Sequence, residues 1–149
     1  MGFADNMRKS CDNIVQAMSD STAKVAEDLF KTNVHLSPTP SGKGGYSVGT
    51  IKNNWYSSVG APDSSFSGSV DASGVDSLSR IDSTISSKPF FGKDNVVYLT
   101  NTTKWAYRAD VVGWPSGDPT NDTGWVWSNN IKPYYFTSTS MQQILNKYS

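Results

Sequence analysis

The chain is short of the residues from which most catalytic and metal centres are built. Its 149 residues include one cysteine and one histidine. A lone cysteine, Cys11, excludes an internal disulfide and any zinc site made of paired thiolates. A lone histidine excludes a histidine metal cluster, and His35 sits between Val34 and Leu36 with neither acid nor base beside it, so it reads as a packed or loop histidine. Charge is scarce and balanced, with 13 basic and 13 acidic residues and no long run of either sign. Such a surface does not neutralise phosphates, and direct sequence-specific nucleic-acid binding is not expected. No run of about 18 apolar residues exists to cross a membrane. The first residues lack the basic-then-apolar order of a signal peptide, and Asn6 stands where a myristoylation signal has Ser or Thr. Without a secretory signal, Asn101-Thr102-Thr103 and Asn121-Asp122-Thr123 read as chance matches to glycosylation acceptors.

Enzyme motifs are missing too. There is no Gly-x-Ser-x-Gly elbow. Ser41-Gly42-Lys43-Gly44 has the look of a phosphate loop, but Gly44 follows the lysine where Ser or Thr is needed, and no strand precedes it. Asp118, Asn121 and Asp122 lack the glycine and distal Glu of a calcium loop and read as a polar turn. No catalytic residue, metal or cofactor is expected.

What the chain does have is one long stretch free of Gly and Pro, from about Phe3 to Asn33. Apolar and small residues fall at Phe3, Met7, Cys11, Ile14, Met18, Thr22, Val25 and Leu29, steps of 4, 4, 3, 4, 4, 3 and 4. That spacing keeps one side of an α-helix facing one way. Val15, Ala26 and Phe30 widen the stripe, and Cys11 reads as a small buried hydrophobe on it. The opposite face is charged, and Lys24 and Asp28 are spaced to pair. A helix of roughly 30 residues is about 45 Å long. One small domain cannot cover that length, so part of the stripe is expected to meet other elements or another subunit.

The segment Ser37–Gly45 is rich in Ser, Pro and Gly and is expected to be an exposed loop. Periodicity then changes to two. Ile51, Trp55 and Val59 on one face predict a strand, and Phe66, Gly68 and Val70 a second, joined as an antiparallel hairpin through Gly60-Ala61-Pro62-Asp63. Ser73 and Asp76 have the spacing of a capping box before a short helix with Val75, Leu78, Ile81 and Ile85 buried. Val96–Leu99 is apolar at consecutive positions and reads as a strand covered on both faces. Trp125–Trp127 and Tyr134–Phe136 look strand-like, and a short C-terminal helix presents Met141, Ile144, Leu145 and Tyr148. Residues 1–149 thus form a single domain. The fold class is α+β, a long N-terminal helix packed on a small antiparallel sheet with short second and C-terminal helices, helix and strand in comparable amounts.

Four of the five tryptophans, Trp105, Trp114, Trp125 and Trp127, lie in the C-terminal third, followed by Tyr134 and Tyr135. Stacking on sugars is one use for such a cluster, and burial between proteins is another. Trp105 reads as core, and Trp114 as interface.

The order of elements resembles the tail-completion or neck proteins of tailed bacteriophages, also called minor tail components. Pro38 and Pro40 precede Gly49-Thr50-Ile51-Lys52-Asn53-Asn54-Trp55, similar to the family's Pro-rich loop and Gly-x-Leu/Ile-Lys/Arg-x-x-Trp strand. Tyr98-Leu99-Thr100-Asn101, then Trp105-Ala106, Asp110 and Gly113, resemble its later strand ending in Asn, aromatic-Ala pair, acid and Gly. The likeness runs from Phe3 to Gly113. The loop between Pro40 and Gly49 is longer than the family's and lacks its acidic-Thr-Gly order, and Trp114–Phe136 has no counterpart. The resemblance implies a non-enzymatic virion protein, made in the host cytoplasm and placed at the head–tail junction. It would form a ring, commonly a hexamer, between a head connector or adaptor and the tail terminator or tail tube proteins. Assembly contacts are expected on the Ser37–Tyr46 loop (Pro38, Pro40, Lys43 and Tyr46) and on Trp114–Trp127 (Trp114, Trp125 and Trp127). Both stretches are expected to order only on assembly. The alternative function is a carbohydrate-binding module using the C-terminal Trp/Tyr cluster. A small hydrolase ranks last, since no base–nucleophile pair can be named.

Overall fold

A computed structural model of the chain describes residues 2–39, 49–87, 96–104, 106–112 and 135–149. Helix α1, Phe3–Leu36, runs for 34 residues without a glycine or proline to interrupt it. It ends where Pro38 forces Ser37 into extended backbone. The Ser37 hydroxyl then donates back to the Asn33 carbonyl at 2.8 Å, satisfying one of the helix's last acceptors. A single helical turn, α2 (Thr50–Asn53), leads into strand β1 (Trp55–Val59). Helix α3 (Val75–Ser86), strand β2 (Val97–Asn101), a π-helical turn (Arg108–Val112) and helix α4 (Phe136–Tyr148) follow. β1 and β2 pair antiparallel from Trp55↔Asn101 to Val59↔Val97. The α+β class is as expected. The balance is not: among the described residues 64% are helical and 9% are in strands.

The core forms where the second half of α1 meets the sheet, α3 and α4. Phe30, Val34, Ile51, Trp55, Ile81, Ala106, Ala109 and Phe136 make one buried cluster, edged by Leu29, Leu36, Leu78, Ile85, Val97 and Leu99. Two glycines allow the close approaches. Gly49 has φ +84°, and a Cβ there would stand 2.3 Å from the Asp71 backbone. Gly74 has φ +72°, with a would-be Cβ 2.8 Å from Val34. Neither the left-handed backbone nor the space admits a side chain.

Several expectations are corrected. Phe3, Met7, Cys11, Ile14, Val15 and Met18 are exposed, because no described element packs on the first half of α1. The face that α1 buries is carried by Ser19, Phe30, Asn33 and Val34. The hairpin of residues 51–59 with 66–70 does not form. Ile51 and Asn53 lie on the turn α2, β1 begins at Trp55, and its partner is β2. Residues 62–71 are held by side chains instead of a ladder, which leaves Phe66 and Val70 exposed. Asp76 does not cap through Ser73. Its carboxylate accepts from Asn53 and Ser69, while Ser73 bonds Asp71. Val75 is exposed, and Ile81 is the most buried apolar residue of α3. β2 is half-buried throughout rather than covered on both faces. Phe136 opens α4 instead of ending a strand, and α4 buries Phe136, Ser140 and Ile144 while Met141, Leu145 and Tyr148 face out. His35 lies on α1 and is exposed. Trp105, the Asp118–Asp122 turn and the strand expected at Trp125–Trp127 fall outside the described residues.

Candidate assembly surface

Asn53 organises the polar interior that positions β1. Its side chain, 0% exposed, donates to Ser69 and Asp76, each at 2.8 Å, and its carbonyl oxygen accepts the Asp76 backbone N–H at 2.9 Å. Asn54 donates to the carbonyls of Thr50 and Ser69 and accepts from Ser67. These bonds pin the irregular segment 62–74 and the start of α3 to α2 and satisfy groups that would be costly to bury unpaired. The Trp55 indole N–H donates to the Ser37 hydroxyl at 2.8 Å, tying the end of α1 to β1.

The outer edge of β1 is closed by α3. The Trp55 N–H donates to the Ser77 hydroxyl, the Trp55 carbonyl accepts from Arg80 Nε, and the Ser57 carbonyl accepts from Thr84. Arg80 also stacks 4.2 Å from the centre of the Tyr56 ring. Side chains of one helix thus do the work of a neighbouring strand. On the other side the sheet, among the described residues, stops at β2.

Beside β2 lies an open groove of about 510 Å³ lined by Val25, Ala26, Leu29, Phe30 and Val97, among others. A hollow of about 320 Å³ shares Leu29 and Phe30 with it and reaches Leu99 and Met141. Both are apolar, lined mainly by aliphatic and aromatic side chains. Among the described residues no group of His, Cys, Asp and Glu is placed to hold a metal ion.

Charge gathers on α1 where α4 ends. Asp28 pairs with Lys147 at 2.6 Å and Lys24 at 3.2 Å and accepts the Tyr148 hydroxyl. The hydrogen bonds from Lys147 and then Tyr148 hold its carboxyl well below the usual carboxylate range. One turn further, Lys31 bridges Asp82 of α3 at 2.6 Å and Glu27 at 2.7 Å. Those bonds, Asp82 first, raise its ammonium above the ordinary lysine value. The pairs anchor α4 and α3 to the second half of α1; none reaches the first half.

Of the residues expected to make assembly contacts, Pro38 is buried, next to Ser37, whose hydroxyl accepts the Trp55 indole N–H. It does not belong to an exposed loop. Pro40, Lys43, Tyr46, Trp114, Trp125 and Trp127 lie outside the described residues. The surfaces the sequence reading missed are the edge of β2 and the outer face of α4. The strand at Val96–Leu99 was visible as an apolar run, but strand pairing, which decides an edge, is not encoded in local periodicity. Comparison with protein-family models, with curated proteins and with solved structures returns no match.

Proposed function

We propose that the protein is a structural subunit of the head–tail junction of a tailed bacteriophage, a neck or tail-completion protein that acts by assembly and not by catalysis. The observation that carries this reading is the first half of α1. It presents Phe3, Met7, Ile14, Val15 and Met18 to solvent along one helix, Phe3 being 80% exposed, while among the described residues the body packs against the second half. Contiguous exposed apolar side chains mark interaction surfaces. In a closed ring, heterologous contacts repeat from subunit to subunit, and a projecting helix suits such contacts. The motif resemblance from Phe3 to Gly113 supplies the location. Mass spectrometry of purified particles tests it: the chain should be found in the virion at a ring's worth of copies. Its absence from intact particles would overturn the reading. Trp114→Ala refines it, with incorporation expected to fall while the subunit's melting temperature stays unchanged. Unfolding of the isolated subunit by that change would place Trp114 in the core.

A further inference from the structure

The hydrogen bonds that close the edge of β1 also fix the phase of the sheet. Because the backbone groups of Trp55 and Ser57 point toward α3, those of Tyr56 and Ser58 point toward β2. Their register partners Thr100 and Tyr98 therefore face β1, and the N–H and C=O groups of Val97, Leu99 and Asn101 face away from it. The bond from the Gly60 N–H to the Val96 carbonyl continues the same alternation. Among the described residues nothing pairs with this outward row. Natural edges are usually blunted by a charge, a proline or a bulge. β2 has none of these: Val97-Tyr98-Leu99-Thr100-Asn101 is neutral and in unbroken register with β1. Next to the edge lies the apolar groove, where Val97 and Leu99 lean toward Val25, Leu29 and Phe30 of α1.

We propose that β2 pairs with β2 of a second copy of this chain, antiparallel about a two-fold axis at Leu99, joining the two sheets into one. The occupant follows from the edge's self-complementarity. The outward groups at Val97, Leu99 and Asn101 are spaced symmetrically about Leu99, so an inverted copy meets each donor with an acceptor. Val97 faces Asn101 of the partner subunit, and Leu99 faces Leu99 of the partner subunit. No like charges oppose each other across the axis. Opposed residues of an antiparallel pair share a face, so the copy's Leu99 lies beside Leu99 on the groove side and shields part of the apolar wall there. The contact is isologous and closes on itself. It is separate from the lateral contacts of a ring and does not rest on the virion reading.

Sedimentation equilibrium and amide hydrogen exchange on the full chain test this, each from low to high micromolar concentration. The expected result is a concentration-dependent dimer. The amides of Val97, Leu99 and Asn101 become protected only as it forms, whereas Tyr98 and Thr100 are protected at every concentration. Val97→Pro removes one outward donor per copy at the first residue of an edge strand, where proline is tolerated, and should weaken self-association about tenfold or more. Val97→Lys points a charge into the groove and should do the same with an unchanged circular dichroism spectrum. A monomer at all concentrations overturns the proposal, as does a dimer that neither substitution weakens. Protection of the Val97, Leu99 and Asn101 amides in the monomer also overturns it, since the edge would then be covered within the subunit. The exchange pattern of the unaltered chain decides the matter even if the proline variant fails to fold.

Discussion

The two halves of α1 carry the same apolar periodicity and meet opposite environments. From Ser19 onward the helix rests on the sheet, α3 and α4, and is fastened by Lys31–Asp82 and Asp28–Lys147. Before Ser19 its apolar side chains face solvent. The halves also differ in direction. The second half buries Phe30 and Val34, whereas the stripe runs through Val25 and Leu29. Phe30 sits one residue, about 100°, round the helix from Leu29. So the stripe only borders the core face, meeting it through Leu29. It is a second face that the subunit leaves at its own edge, bordering the open groove. Periodicity reports that a helix has an apolar side; it does not report which molecule covers it.

Truncating one side chain in each region should separate the two halves most plainly. Phe136 is 2% exposed and meets Trp55 edge-to-face at 6.0 Å between ring centres. Phe136→Ala should cost about 3–5 kcal/mol in urea denaturation. Met7→Ala on the first half of α1 should shift stability by no more than about 0.5 kcal/mol. Comparable losses would mean that residues 3–18 are packed in the free subunit.

Much of the fold was legible for the reason that makes the core robust. Steps of three and four with no Gly or Pro leave α1 few alternatives, and Ile81 and Ile144 fall where their helices' apolar spacing puts them. Asn53 was legible only as one member of an alternating run. Its burial depends on Ser69 and Asp76, residues far along the chain, and no local pattern encodes that meeting. The same holds for β2 as partner of β1, since pairing partners are chosen by tertiary packing. The candidate surface was half visible: an uncovered part of α1 was expected from its length alone, while the edge of β2, unpaired among the described residues, required the topology.

A middle-sized effect tests whether the polar network, as well as the apolar core, belongs to the packed region. Asn53→Ala leaves Ser69 and the Asp76 N–H without their partner, and buried groups left unsatisfied cost about 1–3 kcal/mol. A loss near 2 kcal/mol is expected, with residues 62–76 exchanging amide hydrogens faster. A neutral result would mean that water replaces the side chain freely and that this segment is only loosely attached.

Asp28 should matter less, and in a pH-dependent way. Asp28→Asn weakens the bonds from Lys147 and Tyr148 and should cost about 1 kcal/mol at neutral pH. Because the folded carboxyl titrates below its unfolded value, its contribution is present in full above the unfolded pKa, about 3.8. It is lost as pH falls from there toward the folded value. The stability gap between the two proteins should therefore be constant from pH 7 to about pH 5 and shrink below about pH 4. A gap that persists undiminished in strong acid would assign the loss to packing instead of charge.

The smallest expected effect on the subunit discriminates most finely between the two halves of α1. Ile14 is 59% exposed in the middle of the uncovered stripe. Serine and isoleucine have nearly equal helix propensity, so Ile14→Ser changes the apolar surface with little change in the helix itself. Thermal unfolding should then move by no more than about 0.5 kcal/mol in stability. A seam between subunits, by contrast, repeats the lost side chain at every contact, and each buried isoleucine is worth about 1.5–3 kcal/mol. Incorporation into particles should therefore fall sharply while the free chain melts as before. If particles take up the variant normally, the first half of α1 is not the seam, and the contacts must lie elsewhere on the subunit. If instead the free chain loses more than about 1 kcal/mol, this part of the helix is covered before assembly, and the contrast between the two halves is wrong.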